Sequence, residues 1–343
     1  MTIALMLTLT LSIGAQTTRK AAVKSNVAAM KSTAVQSQST VCAAKPTVFF
    51  MDSISPENLV RIYKALGRKA TGRVAVKIST GEQGGNYYLH PELIKNLVDE
   101  VHGTIVECNT NYGGSRMQTA DHLKTVENHG FQKIARVDIM DAAGQVYIPT
   151  PAGSKNLKSD LVGKNMMNYD FMVVLNHFKG HAMGGFGGAL KNLSIGCASC
   201  EGKGLIHTAG RAKLPDWSKC MDFNDTTLFA GLDQFKDCMA EAAGAVMNHF
   251  GDKILYISVL NNLSVDCDCD SHPHEPKMKN VGIVASLDPV ALDQACVDFV
   301  FQSNDPGNRD LVERIVSRHG TRILYWAQHL NLGSRDYELV HIK

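Results

Sequence analysis

The sequence carries little net charge, contains no long apolar run and shows no internal repeat, and each absence excludes a class of protein. Its 35 Lys and Arg residues against 33 Asp and Glu residues leave a formal charge of +2, which gives no general attraction to nucleic acid or anionic lipid. No stretch reaches the ~18 consecutive apolar residues expected of a membrane-spanning helix. We therefore expect a globular protein that does not bind nucleic acid and has no integral membrane segment in its mature chain.

Several sequence motifs of known chemistry are also missing. The chain has no G-x-S-x-G nucleophile elbow, no H-E-x-x-H zinc motif and no C-x-x-C-x-x-C-x-x-x-C-P ferredoxin run. Its glycine-rich segments match neither the phosphate-binding P-loop nor the dinucleotide pattern with its downstream acid. The function therefore has to be argued from residues that lie far apart in the sequence.

The first 45 residues differ in composition from the rest. Residues 3–15, IALMLTLTLSIGA, form a short apolar run that ends in small residues and resembles a secretory signal, although no Lys or Arg precedes it. Residues 16–45 are polar and rich in Ala, Ser and Thr, which is typical of a flexible linker. We expect a signal peptide at 1–15, a linker at 16–45 and a folded domain at 46–343. The protein is then exported to a periplasmic or extracellular location, or it is cytoplasmic if the apolar run is no signal.

From residue 46 onward, strand-like and helix-like segments alternate. Short β-branched runs at 73–79, 104–109 and 133–141 are typical of strands, and between them 90–101 and 119–130 have apolar residues at helical spacing. This βαβαβ order predicts parallel strands with right-handed crossovers. Further strands are predicted at 169–176, 253–261, 281–286 and 337–342, and further helices near 185–193, at 228–250, at 288–302 and as one helix within 308–343. The predicted fold class is α/β: an open, mostly parallel sheet flanked by helices, Rossmann-like, in a single large domain.

The polar, glycine-rich and cysteine-rich parts of the chain follow predicted strands. They are the loops at 79–89, 109–118, 176–205 and 261–280. In open α/β sheets, ligands bind beyond the carboxyl ends of the strands, in the loops that lead away from them. The coincidence of loop position and polar composition predicts a ligand site at this edge of the sheet.

Two pairs of cysteines lie in these loops. Cys267 and Cys269 in VDCDCD can reach one metal ion from an extended backbone, and Cys197 with Cys200 forms a Cys-x-x-Cys pair. Four thiolates suit zinc or an iron–sulfur cluster. The alternatives are redox disulfides or no chemical role, and the nine cysteines of the chain leave at least one unpaired.

Five histidines accompany the cysteines. His177 and His181 in NHFKGH are candidates for a metal ligand or for a general acid or base, or they are loop histidines bonded to backbone. His207 is a rival for the fourth ligand position beside the cysteines. His272 and His274 in SHPHEP are expected to be solvated.

The same loops concentrate positive charge. Backbone N–H groups at the start of a helix in GGFGGALKN, together with nearby lysines, suit a phosphate or a carboxylate. Lys77 at a strand end is a further candidate, with a strand lysine whose head group reaches solvent as the alternative. The candidates for binding an anionic small molecule are Lys77, Glu82, Asn109, Lys191 and Lys203, and Lys179 joins His177 and His181 as a catalytic candidate.

The segment SLDPVALDQAC, residues 286–296, places two aspartates at the start of a predicted helix. Asp288 followed by Pro289 is typical of a helix N-terminus, in which the carboxylate accepts backbone N–H bonds. Asp293 has the same structural interpretation at this point.

Three segments in this order resemble the domain-of-unknown-function family numbered 362: VAVKISTGEQGGNYY, NHFKGHAMGGFGGALKNLSIGCASCEGK and the later CDC followed by VGIVASLDPVALDQA. The resemblance covers about residues 47–303. Members are often described as iron–sulfur proteins, mainly because many carry an additional ferredoxin-type module that this sequence lacks. It implies that any cluster here is held by Cys197, Cys267 and Cys269. A residue other than cysteine commonly stands at the position of Cys200 in the family, which leaves room for His207 or His177.

These observations predict an exported metalloprotein with a Cys/His site between the loops 197–207 and 261–276 and a pocket for an anionic small molecule beside it. The metal is zinc or an iron–sulfur cluster, and redox chemistry is one option. Export of an unfolded chain favours zinc, because clusters are assembled in the cytoplasm. The alternatives are a non-catalytic binding protein with a structural metal, and a thiol–disulfide protein that uses Cys197 and Cys200.

Overall fold

The computed structural model describes residues 44–212 and 228–343, and the folded unit runs from Ala44 to Lys343. The predicted signal peptide and all but the last two residues of the predicted linker lie outside the described residues. Among the described helices, none combines the length and the apolar character that a bilayer crossing requires.

The described residues form twelve β-strands and nine α-helices. The strands are β1 (Thr47–Met51), β2 (Val74–Lys77), β3 (Thr104–Glu107), β4 (Val137–Ile139), β5 (Gln145–Pro149), β6 (Ser159–Gly163), β7 (Phe171–His177), β8 (Lys179–His181), β9 (Gly185–Gly187), β10 (Ile254–Leu260), β11 (Gly282–Ser286) and β12 (Glu338–His341). The helices are α1 (Pro56–Ala65), α2 (Pro91–Glu100), α3 (Thr119–Asn128), α4 (Ala189–Cys197), α5 (Cys200–His207), α6 (Leu232–Phe250), α7 (Pro289–Phe301), α8 (Arg309–Ser317) and α9 (Arg322–His329).

Eight strands form one sheet in the order β12-β1-β11-β10-β7-β2-β3-β4. Five neighbours, from β10 to β4, run parallel, whereas β11 is antiparallel to both β10 and β1. The exception has a topological cause. No helix lies between β10 and β11, so the chain cannot make the crossover that a parallel pair needs and returns antiparallel. The predicted fold class, an open and mostly parallel sheet flanked by helices, is confirmed.

Helices cover both faces of the sheet. On one face, α1 and α2 pack against each other and bury Leu59, Ile62, Ile94 and Leu97. On the other face, α4 packs against α6, and their apolar side chains join a second buried cluster. Because both faces are covered, all four residues of β2 are buried, including Lys77. The VAVK sequence is therefore a central strand that ends in a buried charge.

The site position follows from strand order. After β2 the chain adds β3 and β4 on one side of β2, and β7 and β10 then lie on its other side. The direction of strand addition thus reverses between β2 and β7. Such a switch point opens a crevice at the carboxyl ends of the two strands. Lys77 ends β2 and His177 ends β7, so both side chains stand at this crevice.

Three segments differ from the sequence predictions. Besides the helix predicted near 185–193, which is α4, the loop predicted at 176–205 contains the β8–β9 hairpin and α5, and a further hairpin, β5–β6, was not predicted. The single helix predicted within 308–343 is two helices, α8 and α9. His319 with a positive φ of 52° and Gly320 separate them. A left-handed residue followed by glycine ends a helix, which accounts for the break.

Candidate functional site

A cavity of about 630 Å³ opens at the carboxyl ends of β2, β3 and β7. Its volume lies in the range of small-molecule sites in proteins. The charged and chemically reactive side chains on its wall come from the ends of β2 and β3, from three of the four loops that the sequence singled out, from the end of α5 and from the residue after α8. They include Lys77, Glu107, Arg116, His177, Lys179, His181, Lys191, Lys203, His207, Cys267, Cys269 and Arg318.

Two thiols and an imidazole meet at one place on the cavity wall. The ligand atoms of His181, Cys267 and Cys269 all lie within 4.8 Å of one another. Cys269 Sγ is 4.0 Å from His181 Nε2, and Lys191 Nζ donates to Cys267 Sγ at 3.7 Å. Two sulfurs and a nitrogen are the donor set of thiophilic ions such as zinc. This His/Cys/Cys group could therefore hold a metal ion.

A hydrogen bond couples the thiols of Cys267 and Cys269. This bond from the Cys269 thiol and the ammonium groups of Lys191 and Lys179 hold the pKa of Cys267 well below its usual value, despite burial. Donation of that hydrogen bond, together with burial, raises the pKa of Cys269 well above its usual value. Deprotonation of the pair is therefore favoured at Cys267, and the thiolate is the form that binds metals and attacks electrophiles.

The ring of His181 is fixed by the backbone of the β8–β9 turn. Its Nδ1 accepts hydrogen bonds from Met183 N–H at 3.2 Å and from Gly184 N–H at 2.8 Å. Its Nε2 is the nitrogen that faces the two sulfurs. Burial, aided by the neighbouring Lys191, lowers the pKa of His181.

The other three predicted metal ligands do not join this group. Cys197 is fully buried at the end of α4, where its thiol donates to Asn192 O at 3.8 Å. Cys200 begins α5, and burial raises the pKa of both thiols to about 11. The predicted convergence of four thiols is thus not formed by the described residues. The cause is local, because α4 turns Cys197 into the apolar core, away from the loop that carries Cys267.

His207 lines the same cavity, but its Nδ1 donates a hydrogen bond, whereas the Nδ1 of His181 accepts. Its Nδ1–H donates to Lys203 O at 2.6 Å, and its ring stacks on Phe235 with centroids 4.5 Å apart. Burial lowers the pKa of His207 to about 4. The ring is therefore neutral at pH 7, and its Nε2 carries the lone pair.

Two of the catalytic candidates are held by a buried carboxylate. Asp268 Oδ1 lies 2.8 Å from His177 Nδ1, and Asp268 Oδ2 accepts from Lys179 Nζ at 2.7 Å. The second nitrogen of His177 lies 2.7 Å from the carbonyl oxygen of Asn261. Burial opposes ionisation of Asp268, but Lys179 and His177 hold its pKa below the usual value. His177 and Lys179 therefore attach the cysteine loop to β7 and β8, and His181 is the candidate that reaches the sulfurs.

The remaining lysines of the cavity have no carboxylate in direct contact among the described residues. Lys77 Nζ donates to Ile78 O at 2.6 Å and to Asn192 Oδ1 at 2.9 Å, and burial lowers the pKa of Lys77. Lys203 Nζ donates to Ala198 O at 2.6 Å. Within the described residues, neither these two lysines nor Lys191 has a carboxylate oxygen within 4 Å, in contrast to Lys179. The cavity thus has an excess of positive charge.

Glu82 and Asn109, predicted to bind the ligand, instead build the loop 109–118. The Glu82 carboxylate accepts from Ser115 N–H at 2.5 Å, from the Tyr112 hydroxyl at 3.1 Å and from Arg116 Nε at 3.3 Å. The Asn109 amide donates to the Thr119 hydroxyl at 2.9 Å, and neither residue lines the cavity. These bonds satisfy polar groups that are buried at strand ends.

The start of α4 is not available to an anion. Asp293 accepts hydrogen bonds from Ala189 N–H at 2.7 Å and Leu190 N–H at 2.9 Å. The prediction that these backbone groups bind a phosphate or carboxylate of the ligand is therefore corrected, since an internal carboxylate occupies them. Asp288 caps α7 through Val290 and Ala291 N–H, as its position before Pro289 indicated.

The sequence did not identify Asp268, Arg116 or Arg318 as residues of the site. Asp268 lies between the two cysteines in a turn that the Asp270 N–H closes by donating to Cys267 O at 2.9 Å, and its carboxylate contacts His177 and Lys179. An aspartate between two cysteines is the signal that the sequence offers for it. Arg318 follows α8, and no motif marks it, because only the packing of α8 against β8 and β9 brings it to the cavity.

Comparison with known proteins places the fold in context. The family model Domain of unknown function (DUF362) matches residues 74–298, about two thirds of the chain, and no curated protein matches. The lactate racemase apoprotein from Thermoanaerobacterium thermosaccharolyticum is 13% identical with a TM-score of 0.43, over 74% of this chain and 56% of that one. A Thermotoga maritima protein from a structural genomics consortium is 11% identical with a TM-score of 0.41, over 77% and 58%. The chain thus spans a little over half the length of these two structures.

Proposed function

The chain belongs to the DUF362 family, and on that premise we propose that it binds a small anionic molecule in the cavity, beside a thiophilic metal ion held by Cys267 and Cys269. One observation carries the proposal: the two sulfurs line the same cavity as three lysines that have no carboxylate partner within 4 Å among the described residues. Export through the predicted signal peptide is part of the proposal and agrees with an ion acquired outside the cytoplasm.

The positive charge supports an anionic ligand. Lys77 is 1% exposed and Lys203 is 7% exposed, so both ammonium groups are held away from bulk water. A buried charge without a counter-ion is costly, and a bound carboxylate or phosphate would remove that cost. Lys191 links the two halves of the site, because its ammonium group contacts Cys267 on the same cavity wall.

The donor set supports a single ion better than a cluster. Iron–sulfur clusters are generally held by four cysteines, whereas among the described residues two cysteines converge. Two thiolates suit zinc, with the remaining positions open toward the cavity. Zinc in such a site supplies Lewis-acid polarisation of a ligand oxygen. The chain's own contribution is to orient the anionic group through Lys77, Lys191 and Lys203.

The test is elemental analysis and zinc titration of the full chain purified without chelator. We expect about one equivalent of a thiophilic divalent ion and a colourless protein. Cys267→Ser and Cys269→Ser should abolish stoichiometric binding, while Cys200→Ser, a cysteine outside the group, should retain it. An iron–sulfur absorption band, or equal loss of metal in the Cys200 variant, would contradict the proposal.

A second candidate function is metal-free thiol–disulfide exchange, favoured by the two cysteine sulfurs lying within 4.8 Å of each other. The Cys267 thiolate would attack a small-molecule disulfide and release one thiol, and Cys269 would then displace the second thiol to close the Cys267–Cys269 bond. Oxidised glutathione supplies the oxidant in the test. A loss of two hydrogens by mass spectrometry, in a protein that binds no zinc, would favour this function over the first.

A further inference from the structure

We infer that His181 is a proton donor toward the two sulfurs and not a metal ligand, because Arg318 and Lys236 act through two backbone peptide units to fix which ring nitrogen carries the proton. The inference concerns the same site and rests on the proposed function for its significance. The turn Ala182–Met183–Gly184 separates β8 from β9, and its hydrogen bonds hold the ring of His181.

The first peptide unit joins Ala182 to Met183. Its carbonyl oxygen, on Ala182, accepts from Arg318 Nε at 2.6 Å. Its N–H, on Met183, donates to His181 Nδ1 at 3.2 Å. A guanidinium group that binds a carbonyl polarises the whole amide and makes its N–H a stronger donor.

The second peptide unit joins Met183 to Gly184 and repeats this arrangement. Its carbonyl oxygen, on Met183, accepts from Lys236 Nζ at 3.0 Å, and its N–H, on Gly184, donates to His181 Nδ1 at 2.8 Å. Lys236 is fully buried in α6, and within the described residues it has no carboxylate oxygen within 4 Å. Its ammonium group instead donates to two carbonyl oxygens, Met183 O and Leu232 O.

These bonds determine the tautomer of His181. A backbone N–H can only donate, so Nδ1 has to present its lone pair to both of them. A neutral imidazole with an unprotonated Nδ1 carries its proton on Nε2. That nitrogen faces the sulfurs, with Cys269 Sγ at 4.0 Å. His181 therefore presents an N–H group, not a lone pair, to the two sulfurs.

This arrangement is the reverse of that around a metal-bound histidine. Such a histidine normally donates its second ring N–H to a carbonyl or carboxylate, which leaves the other nitrogen free for the ion. His181 could bind an ion through Nε2 only by losing its last proton. His207 has the ordinary arrangement, since its Nδ1–H donates to Lys203 O. The two histidines of one cavity thus hold opposite tautomers, and His207 serves as an internal control.

The tautomers can be measured by ¹⁵N NMR of the metal-free full chain with labelled histidine. The protonated and unprotonated ring nitrogens differ strongly in chemical shift. We expect His181 to be protonated at Nε2 and His207 at Nδ1. An Nδ1-protonated His181 would overturn the inference.

Variants of the two cations test whether they are positioning residues. Lys236→Met and Arg318→Gln should each convert the single-tautomer signal of His181 into that of a mixture, with His207 unchanged, and Arg318→Lys should restore the single tautomer. Arg318 is partly exposed, so its variants keep the test possible if Lys236→Met fails to fold. Unchanged His181 signals in folded variants of both cations would show that neither sets the tautomer.

Zinc addition separates this inference from the proposed function. If zinc binds and His181 keeps its Nε2 proton, both stand. If zinc does not bind but the tautomer is as inferred, the metal proposal fails and the inference stands. If zinc binds and displaces the Nε2 proton, His181 is a ligand, so the inference fails and the proposed function stands.

Discussion

Gly188 packs directly against the carboxylate of Asp293, so closely that a Cβ atom at position 188 would lie 2.4 Å from Oδ1. The same carboxylate accepts the first two N–H groups of α4, the helix that carries Lys191 and Asn192 into the site. One glycine–carboxylate contact therefore positions the helix on which the anion pocket depends.

Gly188→Ala should accordingly destabilise the protein and weaken the site. The methyl group would displace Asp293 and leave buried N–H groups without an acceptor, at a cost of about 1–3 kcal/mol for each group. Urea unfolding measures the loss. Gly113→Ala is the matched control, because a Cβ atom there meets nothing within 4 Å. Equal effects of the two substitutions would contradict this role of Gly188.

Asp160 predicts a pH dependence of stability. It is buried in β6, where Oδ1 accepts from Leu161 N–H at 2.9 Å and Oδ2 has no hydrogen-bond partner among the described residues. Burial raises the pKa of Asp160 from 3.8 to about 8. The native state then keeps a proton that the unfolded chain releases, so its stability falls as the pH rises from 3.8 to about 8, by at most about 1.4 kcal/mol per pH unit.

Asp160→Asn should flatten this dependence, because the amide keeps the acceptor for Leu161 and cannot ionise. Unfolding free energies at about pH 5 and about pH 8 provide the comparison. Part of the slope should remain, since burial also raises the pKa of Asp293 to about 7. The control substitution Asp252→Asn, at an exposed position, should leave the pH dependence of the unfolding free energy as steep as in the wild type. A slope in Asp160→Asn as steep as that of the wild type would show that Asp160 is ionised in the native state.

Asp268→Asn tests the attachment of the cysteine loop to the sheet. Removal of one partner from a buried charge cluster leaves Lys179 and His177 without compensation, which typically costs about 3–5 kcal/mol. We expect that loss in chemical denaturation, together with faster hydrogen exchange across the loop 261–280. Asp270→Asn, at an exposed position two residues away, should change neither quantity by a comparable amount.

The sequence allowed the sheet and the location of the site to be predicted from local signals. The β-branched residues of β2 reflect the burial of both faces of that strand, and the spacing of apolar residues in α2 reflects the burial of one face of that helix. Each pattern lies within a short stretch of the sequence. The rule that ligands bind at carboxyl ends of strands then identified the loops of Lys77, His181 and Cys267. These parts of the prediction needed no knowledge of how the loops pack.

The pairing of side chains between loops could not be predicted in this way. In the sequence Asp293 lies within α7, but its carboxylate caps α4, whose first residue lies 104 residues earlier in the chain. Cys197 has a neighbour in Cys200 and a plausible partner in Cys267, yet the rotation of α4 directs it into the core. These side-chain contacts are determined by the packing of one element against another. The type of a residue and its sequence neighbours do not indicate how distant elements pack.

Lys77 provides a prediction in which stability and binding change in opposite directions. Lys77 is 1% exposed, and no carboxylate oxygen lies within 4 Å of its ammonium nitrogen among the described residues. Lys77→Met keeps the buried stem and removes a charge whose desolvation opposes folding. We therefore expect the empty variant to be at least as stable as the wild type, while its affinity for an anion falls about tenfold or more, which corresponds to about 1.4 kcal/mol.

Thermal unfolding with inorganic phosphate, malate and succinate as probes measures both quantities for Lys77, because a ligand that binds the native state raises the midpoint by an amount that grows with the logarithm of its affinity. The wild type should be stabilised by at least one of the three anions, and less so at high salt concentration. Lys158→Met removes an exposed lysine of the same charge and should keep the full anion response. A Lys77→Met variant that is less stable than the wild type but binds the anion equally well would assign Lys77 to the support of Asn192 and not to the ligand.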